Sequence, residues 1–391
     1  MKYLKHLIIL LAIASVTFFV SNVLINGSLN HKLNLGGELK SSADSLYQWK
    51  ISQEAPFKYR VLHRAIVVGV YQILSNNRHD NELFFNTYRI MAFIFHYLAI
   101  CLFYYFLSQT KLKIYALAGA IIFALLPAMS LAYNVPVHTR EDTLAYSILL
   151  LGLVAIMKNN IQLILIFFVL GVFCRETLLL LPFVNLFFNQ QQKLVIRIAI
   201  AGLCFALFFG IRFYIEPTDY NHWEGFNWNR THLLQVIGFA YVSFGILWMP
   251  FLLHIIDFKK NKIDSDILHN SSLSVFLLVM ITTFLGGIFN EIRIIYLLAP
   301  WVIYTGILYY KGNKTLIQEY VGSKLFVCLA ILAFVVIAGT SLEIVRNLNN
   351  YIMRSEFDIP YTSWIAVVGT QIYFGILCLP YFFKLNSERQ A

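Results

Sequence analysis

Long apolar runs, separated by short polar segments, extend along almost the whole chain. A helix needs about 20 mostly apolar residues to cross the hydrocarbon core of a bilayer, and it satisfies its own backbone hydrogen bonds there. The pattern therefore predicts an all-α, polytopic transmembrane helix bundle with about 10 full spans. We place these spans at 4–26, 84–108, 114–133, 144–157, 194–215, 232–257, 272–289, 293–310, 323–343 and 363–383.

The apolar run 161–188 differs from the others because Cys174, Arg175 and Glu176 interrupt it. Polar residues flank the run on both sides. A charged pair in the middle of a full span is costly in hydrocarbon. We interpret the run as a hairpin of two short helices that enter and leave on the same membrane face, with Arg175 and Glu176 near its tip.

The composition is typical of a membrane protein. Of the 391 residues, 59% are hydrophobic and 13% are charged, whereas about a quarter of the residues in soluble domains are charged. The net charge of +10 comes from basic residues scattered between apolar runs, which indicates topology signals and not a nucleic-acid surface. Four of the five cysteines lie inside predicted spans and Cys174 lies in the hairpin, and none has zinc-ligand spacing. The absence of P-loop, HExxH and GxSxG segments argues against the enzymes that those segments define.

The lysines between spans determine the expected orientation. With the N-terminus inside, nearly all of them fall on the cytoplasmic side, and the C-terminus is then also cytoplasmic. We expect residues 1–26 to form an uncleaved first span, in a protein of the inner (cytoplasmic) membrane. The first outer segment, 27–83, contains two predicted helices, at 42–52 and 61–74. The second of these has basic residues at its start, and we expect it to be amphipathic and to lie along the membrane interface.

Three charged clusters border the predicted spans on the outer side, at 138–142, 174–176 and 290–293. Placing a charged side chain in hydrocarbon costs roughly 2.5–3.5 kcal/mol, so the clusters indicate a site. Arginines bind a lipid phosphate through a planar fork, and a carboxylate can take a proton from an incoming hydroxyl. Structural ion pairs are the alternative for these clusters. For Trp223, an interfacial aromatic belt is the alternative to stacking on a sugar.

Four segments carry a resemblance to a known family, at 44–62, 142–144, 174–182 and 291–293. The first holds an acidic residue, a tyrosine three residues later, and then a Pro-aromatic pair and a Tyr-Arg-x-Leu run. The third reads Cys-Arg-Glu-Thr-Leu-Leu-Leu-Leu-Pro. The arrangement resembles the GT-C superfamily of integral-membrane glycosyltransferases, including its bacterial members of the polyprenol-phosphate-mannose-dependent type.

The resemblance implies transfer of a sugar from a polyprenyl-phosphate donor on the extracytoplasmic face. The family's first-loop acid is the catalytic base, and Asp44 matches that position. Glu38 is the substitute, because the first loop lacks a clear pair of acids. The implied organisation is a GT-C-like catalytic core over residues 1–310, including the outer loop 27–83, followed by C-terminal transmembrane helices at 311–391.

The sequence thus predicts an inverting, membrane-bound glycosyltransferase whose acceptor is a hydroxyl of a lipid, a glycan or a protein. Its expected partners are membrane lipids, the donor and the acceptor, and nucleic acid is not expected. A divalent metal stays open as a cofactor, with no ligand set indicated. The catalytic candidates are Asp44 and Glu38. The candidates for binding the donor phosphate are Arg60, Arg64, Arg140, Arg175 and Arg293. The candidates for binding the sugar or acceptor, or for orienting the arginines, are Tyr47, His138, Glu141, Asp142, Glu176, Glu291 and Trp223.

Two other functions stay open. An O-antigen-type polysaccharide polymerase or ligase would also use outer arginines, but on a diphosphate lipid and without an acid as base. A lipid or solute transporter, or a flippase, would have broken helices in both halves of the chain and inverted repeats. The sequence shows one broken hairpin and no repeat.

Overall fold

The computed structural model of the chain describes residues 60–76, 81–126, 129, 141–214, 223–256, 266–287 and 292–312, together with positions 9, 11, 13 and 15. No strand occurs among the described residues, which confirms the predicted all-α class. The α-helices are α1 Val61–Ser75, α2 Asn81–Ser108, α3 Ala116–Leu125, α4 Asp142–Met157, α5 Ile161–Cys174, α6 Leu180–Phe188, α7 Leu194–Tyr214, α8 Trp223–Thr231, α9 Leu233–Phe244, α10 Trp248–Ile256, α11 Ile267–Gly286, α12 Ile292–Ile295 and α13 Ala299–Gly312. Short 3-10 helices lie at Lys113–Tyr115, Glu176–Leu179, Gly245–Leu247 and Tyr296–Leu298.

Three of the described helices contain segments that are long and apolar enough to cross a membrane. These segments are Ile90–Ser108 in α2, Leu194–Tyr214 in α7 and Ile267–Gly286 in α11. They coincide with three of the predicted spans and support a multi-pass membrane protein. The total of about 10 spans stays a prediction.

The chain divides into two compact units. The first unit comprises Met1–Leu125, Met129–His222 and Ser265–Leu278. The second comprises Leu126–Ala128, Trp223–Asp264 and Val279–Ala391. The helices from α1 to α7 therefore belong essentially to the first unit, and those from α8 to α10, with α12 and α13, to the second.

In the first unit, α1 lies antiparallel against the first half of α2. The rings of His63 and Phe95 are 5.4 Å apart, and those of Tyr71 and Phe84 are 5.1 Å apart. The face of α1 that packs inward is buried, whereas Ile73 is 81% exposed. The structure pairs this helix lengthwise with a helix that contains a candidate span, and its position along the membrane interface stays a prediction.

Aromatic side chains join α2, α3 and α4 into a core. The rings of Phe103 and Phe123 stack at 4.3 Å, and the edge of Phe123 meets Tyr146 at 6.3 Å. All three rings are at most 2% exposed. Burying rings of this size contributes much of the packing energy of such a core. At the end of α4, Nζ of Lys158 donates to the hydroxyl of Tyr105 at 3.0 Å.

A tight turn sends the chain from α4 back along α5. Asn159 has a φ of 51°, a left-handed conformation that asparagine tolerates better than most residues. The side chain of Asn160 caps α5 by accepting a hydrogen bond from the Leu163 amide at 3.1 Å. α5 and α4 therefore pack antiparallel, and the end of α5 returns to the start of α4.

The apolar run 161–188 is broken at Arg175, as the charge pattern predicted. Arg175 is extended, with φ −161° and ψ 138°, and it separates α5 from the 3-10 turn that leads into α6. The chain then reverses, because Leu178 lies against Gly171 of α5 and Leu181 lies against Gly152 of α4. The two short helices form a hairpin with Arg175 and Glu176 at its tip.

In the second unit, α8 packs closely against the end of α11. A β-carbon added to Gly225 would lie 2.5 Å from the carbonyl oxygen of Gly287. One turn later, the buried Nδ2 of Asn229 donates to the carbonyls of Phe284 and Gly287, each at 2.8 Å. These carbonyls belong to the last turn of α11 and the residue after it, where a helix leaves carbonyls unsatisfied.

A second interruption separates α9 from α10, within the predicted span 232–257. Gly245 has φ 52° and ψ −125°, a conformation accessible almost only to glycine. The indole Nε1 of Trp248 donates to the carbonyl of Ala240 at 2.7 Å and bridges the break. This second break was not predicted from the sequence.

Candidate functional site

Arg60 is the centre of an ionic cluster at the tip of the hairpin. Its Nη1 donates to Oε1 of Glu141 at 2.5 Å. Its Nε donates to Oε2 of Glu176 at 3.0 Å, and its Nη2 donates to Oε1 of the same carboxylate. One guanidinium therefore binds two carboxylates, one of them through two parallel bonds, which is the geometry arginine favours.

A second ion pair lies next to the first in sequence. Nη1 of Arg175 pairs with Oδ1 of Asp142, and the two side chains are 2% and 1% exposed. Arg175 ends α5 and Asp142 begins α4, so the antiparallel packing of these helices brings the two residues together. The sulfur of Cys174 also lies 3.9 Å from the carbonyl oxygen of Glu141 at this junction.

Arg212, in the last turn of α7, completes the cluster. Its Nη2 lies 4.0 Å from Oε2 of Glu176. Its Nη1 donates to the carbonyl of Phe208 at 3.4 Å, and its Cζ lies 3.5 Å from the centre of the Phe208 ring. Arg212 and Glu176 are 23% and 26% exposed, so they form the open edge of the cluster.

We refer to these six side chains as the arginine–carboxylate network. Its members are Arg60, Arg175, Arg212, Glu141, Asp142 and Glu176. The three positive and three negative charges balance formally. Buried charges that lack partners are strongly unfavourable, so this balance is what makes the network compatible with its apolar surroundings.

The carboxylates also lie where helix geometry favours negative charge. Glu141 and Asp142 stand at the N-terminus of α4, and Glu176 begins the 3-10 turn after Arg175. Backbone N–H groups at a helix N-terminus carry partial positive charge and stabilise carboxylates there. The helix N-termini and the arginines therefore both stabilise the ionised form of these carboxylates.

Glu176 stays ionised at neutral pH. Burial by itself would raise the pKa of Glu176, but the charge and hydrogen bonds of Arg60, with a further contribution from Arg175, lower the pKa to about 2. The pKa of Arg60 is raised in turn, because the attraction of Glu176 and Glu141 outweighs the effect of its burial. A carboxylate with such a low pKa is a weak general base, so Glu176 is suited to holding arginines in place.

The structure brings together five residues that the sequence predicted for the site. They are Arg60, Glu141, Asp142, Arg175 and Glu176. The side chains that face Arg60 and Arg175 are carboxylates, and their assignment to a donor phosphate stays a prediction. Arg64 lies on α1 and is buried, at 3% exposure.

Two further candidate residues belong to the second unit, and six lie outside the described residues. Trp223 belongs to the second unit, is 66% exposed and meets the ring of Phe226 at 6.0 Å. Arg293 lies in the short helix α12 of the same unit. The candidates outside the described residues are Glu38, Asp44, Tyr47, His138, Arg140 and Glu291.

Sequence reasoning did not assign Arg212 to the site. The signal that could have found it is an arginine one helical turn after a phenylalanine, near the end of an otherwise apolar span. Its proximity to Glu176 depends on the packing of α7 beside α6 and the turn before it. That packing is not encoded in a local pattern.

A second polar cluster, formed by amides, lies near the other end of α6. Nδ2 of Asn189 donates to Oδ1 of Asn185 at 3.0 Å, and Nδ2 of Asn185 donates to Oε1 of Gln192 at 3.4 Å. All three amides are at most 6% exposed. Nη1 of Arg197 donates to the carbonyl of Leu186 at 2.7 Å and joins the start of α7 to α6. Both ends of α6 are thus fixed by polar contacts.

Among the residues that the structure describes, no group of three or more His, Cys, Asp or Glu side chains is placed to hold a metal ion. The three carboxylates of the network face guanidinium groups. The requirement for a divalent ion therefore has no support from the described geometry.

No model of a known protein family matches the chain, and no curated protein sequence matches it.

Proposed function

We propose that the protein is a membrane glycosyltransferase that moves a sugar from a polyprenyl-phosphate donor to an acceptor hydroxyl at the extracytoplasmic membrane face. The observation that carries this proposal is the arginine–carboxylate network. It joins Arg60, Asp142, Arg175 and Glu176, which come from three of the segments that resemble the GT-C superfamily, and it adds Glu141, the residue just before one of them. Residues as far apart as 116 positions in the sequence meet there.

The proposed topology has about 10 spans and the hairpin, with both termini in the cytoplasm and the protein in the inner membrane. The three apolar helices support a membrane location. In this topology the hairpin tip and the start of α4 lie on the outer side, since Lys158 lies at the opposite end of α4 from Asp142 and basic residues favour the cytoplasm. The core would comprise residues 1–310 and the C-terminal helices 311–391.

The proposed reaction is an inverting displacement. Asp44, or Glu38 in its place, takes the proton of the acceptor hydroxyl, and the hydroxyl oxygen forms a bond to the anomeric carbon. The bond between that carbon and the phosphate oxygen breaks, and its electron pair stays on the polyprenyl phosphate that leaves. Arginines near the leaving phosphate stabilise the growing negative charge.

We propose different roles for the buried arginines of the network and for the other arginines of the site. Arg60 and Arg175 are buried against carboxylates, so we propose that they hold Glu141, Asp142 and Glu176 in fixed positions beside the donor. Arg64, Arg140 and Arg293 are the other proposed phosphate ligands, with Tyr47, His138, Glu291 and Trp223 for sugar or acceptor. The pKa of about 2 at Glu176 supports a base elsewhere in the site, as expected for Asp44.

The substitution Asp44→Asn tests the reaction. With a labelled polyprenyl-phosphate sugar in proteoliposomes, we expect no transfer by this variant, although it folds and inserts like the unchanged protein. Glu38→Gln tests the alternative base: loss of transfer in this variant, with transfer retained in Asp44→Asn, would assign the role to Glu38. Full activity in both single variants and in their combination rejects an acid base and favours a polymerase or ligase that uses a diphosphate lipid.

A transporter or flippase is the second candidate, and one observation favours it. The helix break at Gly245 adds to the break at Arg175, so each compact unit contains an interrupted helix, as many transporters do. Movement of a labelled lipid across proteoliposomes, without any glycosylated product, would favour this function over the transferase.

A further inference from the structure

We propose that the exposed face of α7 binds the lipid donor, with Arg212 contacting its phosphate. The lipid is a polyprenyl monophosphate, and this identity rests on the proposed function. The position of the lipid rests on the structure of α7 alone. The inference therefore names the place where the donor lies, and it adds Arg212 to the residues that bind it.

The first step is the accessibility of the three arginines in the network. Arg60 and Arg175 are 6% and 2% exposed, so a ligand cannot reach them without displacing carboxylates. Arg212 is 23% exposed. The open edge of the network is formed by Arg212 and Glu176, so Arg212 is the arginine of the network that an approaching ligand reaches first.

The second step is the orientation of Arg212. Its guanidinium lies over the ring of Phe208 at 3.5 Å and reaches the Phe208 carbonyl, so the side chain points back along α7. Stacking on an aromatic ring orients a guanidinium and lowers the cost of fixing it for a ligand. Arg212 is 4.0 Å from Glu176, beyond hydrogen-bonding distance, so a turn toward a phosphate breaks no hydrogen bond to that carboxylate.

The third step is the apolar row below Arg212 on the same side of α7. Residues at intervals of three, seven and fourteen positions share one side of a helix. These positions before Arg212 are Phe209, Phe205 and Ile198, and their side chains are 63%, 42% and 54% exposed. The small side chain of Ala201, on the same side between Phe205 and Ile198, is 5% exposed. The row continues to Leu194, which is 56% exposed, over a length of about 22 Å.

The fourth step is the match between this surface and a lipid. Arg212 lies at one end of the row, and Arg197, near the other end of α7, donates to the carbonyl of Leu186. The Arg212 end is complementary to the anionic head of a lipid, and the row is complementary to its long hydrocarbon tail. Inorganic phosphate would use only the head contact, and an uncharged polyprenol would use only the row. The whole surface therefore fits a phosphate-bearing lipid better than it fits inorganic phosphate or an uncharged polyprenol.

The experiment measures binding of a long-chain polyprenyl monophosphate to the full-length protein in detergent by native mass spectrometry. We expect Arg212→Gln to weaken binding about tenfold or more, because a charge-assisted hydrogen bond is lost. We expect Arg212→Lys to retain part of the affinity. Phe209→Ser should weaken binding as well, because it places a hydroxyl in the apolar row.

Matched controls exist on the same chain. Arg230 is exposed and lies 5.9 Å from the ring of Phe226 on α8, so Arg230→Gln removes a comparable charge elsewhere. Leu203 is 46% exposed on another side of α7, so Leu203→Ser is the control for Phe209→Ser. Both controls should bind like the unchanged protein. The proposal is overturned if Arg212→Gln binds normally, or if Arg230→Gln and Arg212→Gln lose affinity equally.

Binding of phosphatidylglycerol with the same affinity and the same loss in Arg212→Gln would overturn the polyprenyl assignment, because the site would then accept any anionic lipid. The assay contains neither sugar nor acceptor, so its result does not depend on catalysis. Arg212-dependent binding without any transferase activity would leave this inference standing and refute the proposed function. Transfer with an unchanged donor KM in Arg212→Gln would refute the inference alone.

Discussion

Nη1 of Arg60 lies 2.5 Å from Oε1 of Glu141, although 81 residues separate the two in the sequence. Both side chains are buried, with 6% and 2% of their surfaces exposed. The pair joins the residue before α1 to the residue before α4. Because each charge depends on the other for compensation, the pair makes the relative position of these two helices sensitive to a single substitution.

Arg60→Gln should destabilise the protein by about 3–5 kcal/mol, because it leaves Glu141 and Glu176 without the guanidinium that faces them. The measurement is reversible unfolding in detergent micelles. Arg230→Gln, which removes an exposed arginine, should change stability by no more than about 0.5 kcal/mol. Equal stabilities of the two variants would contradict a structural role for Arg60.

The double substitution Arg60→Gln with Glu141→Gln should be more stable than the sum of the single changes predicts. Removing both charges leaves no uncompensated ion of this pair in the apolar interior. A coupling energy of about 0.5–3 kcal/mol is typical of groups in one ionic network. Additive effects would mean that Arg60 stabilises the fold mainly through Glu176.

Exchange of the charges at Asp142 and Arg175 gives a second prediction. Asp142→Arg and Arg175→Asp should each lower the yield of folded protein strongly, because each places two like charges together in a buried site. The combined variant should recover part of the yield, measured by size-exclusion chromatography. Recovery should be incomplete, because an arginine at the start of α4 is unfavourable beside the helix N-terminus. No recovery at all would refute the direct pairing.

Gly225→Ala should destabilise the second unit by about 1–3 kcal/mol, since its methyl group would lie 2.5 Å from a backbone oxygen of Gly287. Gly69→Ala is the matched control, because a β-carbon at that helical glycine would meet no atom within 4 Å. The control should be neutral or stabilising by about 0.5–1 kcal/mol. Thermal unfolding of both variants in the same detergent distinguishes steric overlap from a general effect of replacing glycine.

Gly245→Ala should cost about 1–3 kcal/mol, because an L-residue with a side chain rarely adopts φ 52° and ψ −125°. A β-carbon added to Gly306 would make only ordinary contacts with Leu247 and Pro250, at 3.7 and 3.8 Å. Gly306→Ala should therefore be tolerated. If Gly245→Ala is equally stable, the break between α9 and α10 does not depend on the conformational freedom of glycine.

The fold class and the hairpin could be predicted because they follow from local patterns. An apolar run of the right length becomes a helix in a membrane, as for α7 and α11. Arg175 and Glu176 interrupt their run because a guanidinium and a carboxylate in hydrocarbon are costly. The break at Gly245 escaped prediction, since glycine is also common in uninterrupted membrane helices.

Five of the six members of the arginine–carboxylate network could be predicted from the sequence, but their pairing could not. The sequence indicated that Arg60, Arg175 and Glu176 belong to a site, because charges in apolar context require compensation. It did not indicate that Arg60 binds Glu141 and Glu176 together, which depends on the packing of α1, α4 and α5. Arg212 was missed for the same reason, because its neighbour Glu176 is distant in sequence.

The distance in sequence between Arg60 and Glu176 has a consequence for biogenesis. The ribosome completes Arg60 116 residues before it completes Glu176. At a synthesis rate of about 5–20 residues per second, Glu176 is completed roughly 6–23 s after Arg60. During that interval Glu176 does not yet compensate the charge of Arg60. We therefore expect the final packing of α1 against α4 and α5 to follow synthesis of the hairpin.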